Sequence, residues 1–334
     1  MSAPGSVARI TALLAFFVVS AGAAAESEHT EVRDWLDRMA RAVETLNYRG
    51  VLVHWHEGQV DSLHIIHRAD ENGFRERIYS LDGEPREILR DADSIRCLLA
   101  GDQPLFMQSQ LTKRLMPNLP ISRLDSMESA YEMTLGGLER VAGMMTQVVE
   151  INPLDQYRYG YRFWLEEKTG MLLRSALLNN NGQTLQQVSF ARIELGVAIS
   201  DSELEPELDS ALMTELPVAE GIPSSWSINP ENASWMPPRV PPNFELIKVG
   251  TGESEAGVGF EHFLFSDGLA SFSIYVEEAG SRYDRGRIKS VGPVHIYTGL
   301  LDGRQITVVG EVPLATVQYI GRSLGRSTEH HLSH

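Results

Sequence analysis

From residue 48 to residue 99 the chain alternates short β-branched and aromatic runs with two-residue turn signals. Residues 48–56 (YRGVLVHWH), 60–68 (VDSLHIIHR) and 74–81 (FRERIYSL) are the runs, and Glu57-Gly58, Asn72-Gly73 and Asp82-Gly83 punctuate them. Connections this short join antiparallel neighbours only, because a parallel partner needs a crossover of a dozen residues or more. Residues 84–90 and 94–99 extend the meander. It resumes with 138–151, read as one strand bulged at Gly143, then 157–166, the turn Lys168-Thr169-Gly170, 171–178, a turn over 179–182, and 183–195. About nine or ten antiparallel strands on short connections build one large curved sheet. Residues 30–46 precede it, with Val32, Trp35, Leu36, Met39, Val43 and Leu46 at helical spacing behind the N-cap Thr30. The expected class is α+β: a large antiparallel half-barrel sheet with helices, followed by a smaller antiparallel sheet-and-helix domain.

Residues 1–25 read as a secretory signal peptide. Arg9 supplies a positive charge, 10–19 are apolar, and Ala23 and Ala25 stand in A-x-A spacing before Glu26. The apolar run is too short to span a bilayer. Cleavage after Ala25 removes Arg9, so the formal charge of −16 becomes −17. Such an acidic chain is a poor partner for nucleic acid. Cys97 is the only cysteine, so no internal disulfide is available, and its apolar strand-like setting suits a structural thiol.

The expected large domain spans 26–204. Residues 205–242 then hold eight of the sixteen prolines, a density that reads as a stiff linker without strand or helix. Trp226 and Trp235 lie in it and are expected to pack on a domain. In the second domain, 243–325, residue 244–249 is a strand, and 259–265 and 269–277 form a hairpin around Ser266-Asp267-Gly268. Residues 294–299 and 305–309 form another around Asp302-Gly303, and 313–324 are a closing helix begun by Pro313. Residues 326–334 read as a frayed tail.

No G-x-S-x-G turn, H-E-x-x-H helix or phosphate-binding glycine loop is present. No catalytic residue, cofactor or metal is expected, and no enzymatic activity. His54, His56, His64 and His67 invite a metal reading. No cysteine or carboxylate completes a ligand set at a zinc-site spacing, however, and a solvated or packed sheet surface accounts for them better. The apolar inventory points elsewhere. Trp55, Phe163, Met107, Leu115, Met116, Leu119 and Met127 are candidates to line an acyl-chain cavity, methionine being adaptable to irregular apolar ligands. The same residues also suit an ordinary core. Lys113, Arg114 and Arg123 flank the apolar loop and are candidate head-group contacts. Arg282, Tyr283 and Arg285, with the two linker tryptophans, are candidate contacts for an acidic partner, a solvated loop being the alternative.

Three strings give the chain a resemblance. Trp35-Leu36-x-x-Met39 with Leu46-Asn47-Tyr48-x-Gly50-x-x-Val53 looks like the opening of the MucB/RseB family. His262-Phe263-x-x-Ser266-Asp267-Gly268-Leu269-Ala270-x-Phe272-Ser273-x-Tyr275-x-Glu277 resembles a second family string, and Gly310-Glu311-Val312-Pro313 a third. The resemblance implies a periplasmic regulator of the envelope stress response. Such a protein would bind the periplasmic part of a membrane-spanning anti-sigma factor and shield it from the site-1 protease. Lipopolysaccharide or other acyl chains would bind the large domain, which the resemblance likens to LolA/LolB carriers, and release the partner. A periplasmic lipoprotein or lipid carrier is the alternative, and a homo-oligomer stays open.

Overall fold

The computed structural model describes residues 30–71, 73–91, 95–99, 124–207, 214–218, 235, 237, 239–253, 259–279 and 286–330. Helix α1 covers residues 30–45. The strands β1 (Tyr48–His56), β2 (Gln59–Asp70), β3 (Gly73–Ser80), β4 (Arg86–Asp91) and β5 (Ile95–Leu99) follow, then a short helix α2 (Leu124–Glu128). Next come β6 (Tyr131–Val141), β7 (Met144–Pro153), β8 (Gly160–Glu166), β9 (Leu172–Leu178), β10 (Thr184–Leu195), a 3-10 turn (Asp201–Leu204) and β11 (Thr214–Val218). The second unit is β12 (Glu245–Glu253), β13 (Gly259–Ser266), β14 (Ser271–Glu278), β15 (Arg287–Val291), β16 (Val294–Leu301), β17 (Arg304–Gly310) and helix α3 (Leu314–His330).

All strand pairs among the described residues are antiparallel. One open sheet of eleven strands runs β11-β5-β4-β3-β2-β1-β10-β9-β8-β7-β6, and a second of six runs β12-β13-β14-β17-β16-β15. In the large sheet β1 pairs with β10, so the first and last strands of the two meanders meet at the centre. Close approach there needs Gly50: a Cβ would stand 2.3 Å from the Arg192 carbonyl oxygen, beside a bulge in the β1–β10 register.

The sheet has two distinct faces. On the face that α1 covers, Leu52, Ile65, Ile78, Phe163, Val149 and Phe190 pack with Val32, Leu36, Met39 and Val43 of the helix. The four helical residues recur at i, i+4, i+7 and i+11, which is why one stripe buries them all. Each contributes roughly 2 kcal/mol of apolar burial. Arg38 extends this docking: its guanidinium stacks over Trp35 at 4.1 Å and donates to the Glu167 and Lys168 carbonyls in the β8–β9 turn. Gly170 closes that turn at φ +79°, and a Cβ there would lie 2.7 Å from Arg38.

The opposite face mixes arginine–carboxylate pairs with apolar patches. The segment 196–207 crosses it, seating Ile199 and Leu204 on Ile66 and Tyr79. Arg77 pairs with buried Glu87 and reaches the Glu203 carbonyl, while Arg49 binds Glu194 and Glu203. A buried Arg–carboxylate pair is held by surrounding hydrogen bonds more than by its own Coulomb energy. Here the Glu207 amide also donates to Glu87.

The small sheet presents Phe263, Phe265, Phe272, Ile274, Ile306 and Val308 to α3, whose Val317 and Ile320 are fully buried. Pro313 stands immediately before that helix, and its carbonyl accepts from the Thr316 amide.

Three sequence expectations change. Gly143 is not a bulge but half of a two-residue hairpin turn, Ala142 at φ +48° and Gly143 at +83°, so 131–153 is two strands. The Pro-rich stretch is not free of strand: β11 pairs with β5 and places Pro217 on an edge strand, the place in a sheet where proline is tolerated. The closing helix continues past 324 to His330.

Candidate functional site

The two sheets meet at a polar joint. Three local structures supply it: the first residue of β6 (Tyr131), the loop 154–159 between β7 and β8 (Arg158), and the β13–β14 turn (Asp267). In that turn Asp267 Oδ1 accepts from the Leu269 and Ala270 amides at 2.9 and 2.7 Å, an Asx-type closure that leaves Oδ2 pointing out. Oδ2 lies 2.9 Å from Arg158 Nε and accepts from the Tyr131 hydroxyl at 3.0 Å. Arg158 then donates to Asp155 Oδ2 at 2.9 Å and to the Pro242 carbonyl at 2.7 Å. Its guanidinium lies over Phe244 at 4.9 Å and near Tyr131 at 5.5 Å. The Arg158 and Asp267 side chains are 1% and 0% exposed, so the cross-domain ion contact is dry.

Further bonds surround it. The Tyr159 hydroxyl donates to the Pro293 carbonyl at 3.1 Å, Thr316 Oγ1 to the Tyr157 carbonyl at 2.6 Å, and Asn243 Nδ2 to the Ser129 carbonyl at 3.1 Å. Gln186 of β10 donates to Glu311 at 2.5 Å, and the Tyr157 and Tyr319 rings approach to 5.0 Å. Leu269 packs on the large core. Burial pushes the Asp267 carboxyl up, opposed by the two amides, Arg158 and Tyr131. Burial also pushes the Tyr131 and Tyr159 hydroxyls above the ordinary phenol range, which keeps both as neutral donors. Directional bonds of this number fix how one domain sits on the other. A partner touching both domains therefore meets a single composite surface.

The expected cavity residues fall in different places. Phe163 and Met127 are fully buried in the core beneath α1. Trp55 is partly exposed on the other face: it pairs with Gln187, then Ala176, then Arg162, whereas Phe163 shares its face with Ser175 and Val188. Trp55 and Phe163 therefore cannot line one concavity, because one residue's difference in register reverses the face. Met107, Leu115, Met116, Leu119, Lys113, Arg114 and Arg123 lie outside the described residues, as do Trp226, Arg282, Tyr283, Arg285 and the signal segment 1–25. Trp235 packs edge-on against Phe263 at 5.5 Å, in the small-domain core. Cys97 lies in β5, next to β11. An open cavity of about 540 Å³ lies on the small sheet, with Phe260 and Val276 beside Glu261, Glu277, Glu278 and Arg304. No helix among the described residues is long and apolar enough to cross a membrane.

Sequence reasoning missed Tyr131 and Arg158 at the joint and read Asp267 as a turn residue within the second family string, with no cross-domain role. The signal in the sequence was limited to an aspartate in the Ser266-Asp267-Gly268 turn with Phe263, Phe265 and Phe272 close by.

The model of the MucB/RseB N-terminal domain matches residues 31–208, and that of the MucB/RseB C-terminal domain residues 229–325. The sigma factor AlgU regulatory protein MucB of Pseudomonas aeruginosa is 29% identical over 324 residues, covering 95% of this chain and 97% of its own. The sigma-E factor regulatory protein RseB of Escherichia coli K12 is 24% identical over 291 residues, 86% of this chain and 89% of its own. Among solved structures, the Pseudomonas aeruginosa MucA/MucB complex is similar with a TM-score of 0.67 at 28% identity, covering 87% of this chain and 97% of that one. MucB in complex with MucA(peri) gives 0.66 at 28%, covering 86% and 96%.

Proposed function

Because this chain belongs to the MucB/RseB family, we propose that it regulates an extracytoplasmic-function sigma factor by binding the periplasmic part of a membrane-spanning anti-sigma factor. In this reading residues 1–25 direct export and are removed. The mature protein works in the periplasm and does no covalent chemistry. Bound to the anti-sigma factor, it shields the site-1 cleavage region. Acyl chains, lipopolysaccharide among them, favour the unbound form and release the partner. The apolar residues Met107, Leu115, Met116 and Leu119 and the cations Lys113, Arg114 and Arg123 are proposed for the lipid. Trp226, Arg282, Tyr283 and Arg285 are proposed for the peptide.

One observation carries the reading. Both family domains are present in order, and a buried joint centred on Arg158 and Asp267 holds them in one arrangement. The relatives that match over nearly their whole length are sigma-factor regulators, and one of them has been solved with MucA(peri). Lipid release requires that lipid bind the free and peptide-bound forms with different affinity; equal affinity shifts nothing.

The test uses the mature chain and MucA(peri), or the cognate periplasmic segment. Calorimetry is expected to give a saturable complex, and the bound segment to resist site-1 protease. Lipopolysaccharide added to the complex is expected to dissociate it. Absence of any complex overturns the regulator reading. A complex that survives saturating lipid overturns the release step alone. Transfer of labelled lipoprotein between membranes, without anti-sigma binding, would establish the carrier instead.

A further inference from the structure

Strand pairing supplies the carboxylate that the local sequence spacing lacks. His54 and His56 stand two residues apart on β1 and share a face, their ring centroids 4.5 Å apart. Asp61 of β2 lies directly opposite His54 in the β1–β2 register. Asp61 Oδ2 is 2.9 Å from His56 Nε2, and one donor atom from each of the three residues lies within 4.8 Å of the others. From this juxtaposition we propose that His54, His56 and Asp61 form a binding site for a divalent transition-metal ion of the zinc, nickel or copper class.

The donor set selects the class. Two imidazoles and one carboxylate suit borderline d-block ions, whereas calcium and magnesium demand shells of oxygen. Donors about 2.0–2.1 Å from one ion lie roughly 3.2–3.5 Å apart in a tetrahedral site. The His56–Asp61 pair is already near that spacing, and the His54 donor, within 4.8 Å of both, has to draw in to complete it. Three protein ligands leave positions for water or a further ligand.

The surroundings hold the ligands in place. Arg86 Nη2 donates to the other carboxylate oxygen, Asp61 Oδ1, at 3.0 Å, which turns Oδ2 toward the imidazoles. Both strands are paired along this stretch, so the ligand spacing is set by the sheet rather than by a loop. Arg86 also offsets part of the carboxylate charge, so affinity in the micromolar range is expected. The site sits beside the domain joint: Gln186, the β10 partner of His56, donates to Glu311. An ion here would add positive charge next to a contact between the two domains.

The test is calorimetry of Zn²⁺ into the full mature chain carrying His330→Asn, His331→Asn and His334→Asn, which removes the terminal histidines. One saturable site per chain is expected. His54→Gln, His56→Gln and Asp61→Asn are each expected to weaken it at least tenfold. His64→Gln, on the opposite face, leaves it unchanged. Co²⁺ in place of Zn²⁺ is expected to give the intense visible absorption of a low-coordinate site, a readout that needs no ligand variant. Mg²⁺ and Ca²⁺ are expected not to compete. Absence of saturable Zn²⁺ binding together with a six-coordinate aqua-like Co²⁺ spectrum overturns the site. So does binding that survives the His54→Gln/His56→Gln pair in a protein whose metal-free melting is unaltered.

Discussion

Arg158 and Asp267 lie in loops of different sheets, yet Arg158 Nε stands 2.9 Å from Asp267 Oδ2 with both side chains buried. Replacing one partner leaves the other charge buried and uncompensated, at a cost of roughly 3–5 kcal/mol. Asp267→Ala is expected to destabilise the mature protein by about that much in urea denaturation. Arg158→Met/Asp267→Leu is expected to recover a large part of it. A single-variant cost below about 1 kcal/mol would show that the joint is wet in solution.

Tyr131→Phe removes only the hydroxyl that donates to the same carboxylate. A hydrogen bond to a charged group contributes about 1.5–3 kcal/mol. The variant is expected to fall between wild type and Asp267→Ala, with Arg158 still compensated. Equal losses in the two variants would contradict this ordering.

Gly170→Ala combines a positive φ with a near-clash on Arg38. Backbone strain of this kind costs on the order of 1–3 kcal/mol. Gly182, also at positive φ but with open space around it, is the control, and Gly182→Ala is expected to cost less. Paired thermal melts check the difference.

Leu36→Ala opens a cavity under α1 at a fully buried position. A loss of roughly 2–5 kcal/mol is expected by chemical denaturation. A loss below 1 kcal/mol would mean that the α1 face is not packed as described.

His262 is stacked on Tyr275 at 4.3 Å, and burial lowers its pKa from 6.5 to about 4. The folded chain keeps it neutral while the unfolded chain protonates it. Its contribution is fully present above pH 6.5 and is lost as pH falls from 6.5 toward 4. The full difference is about 3 kcal/mol. Unfolding free energies measured across that window are expected to fall less steeply in His262→Phe than in wild type. Parallel slopes would refute the assignment.

Local chemistry made much of this fold readable. Glu57-Gly58 and Asp302-Gly303 occupy the positive-φ pairs of two-residue hairpins; Gly58, Asp302 and Gly303 are residue types that tolerate that backbone, and Gly58 between two β-rich runs was enough to mark the first turn. Ala142-Gly143 adopts the same conformation, but alanine carries no such signal, so the hairpin there was read as a bulged strand. β11 escaped for a related reason. Proline normally argues against a strand, and only the edge position makes Pro217 tolerable.

The candidate sites divide along the same line. Alternation along β1 puts His54 and His56 on one face, and Val51, Val53 and Trp55 on the other, a local pattern of period two. Whether Trp55 and Phe163 share a surface depends on the register summed across β1, β10, β9 and β8, which no single segment encodes. The sequence by itself determined most of the strands and the two main helices, the two-domain order and the amphipathic face of α1, because turn chemistry and periodicity act over a few residues. Only the tertiary structure decided that Asp61 faces His54, that Pro217 lies on an edge and that Arg158 meets Asp267. Those contacts arise from strand pairing and domain docking, where residues distant in the chain satisfy one another's buried charges and hydrogen bonds.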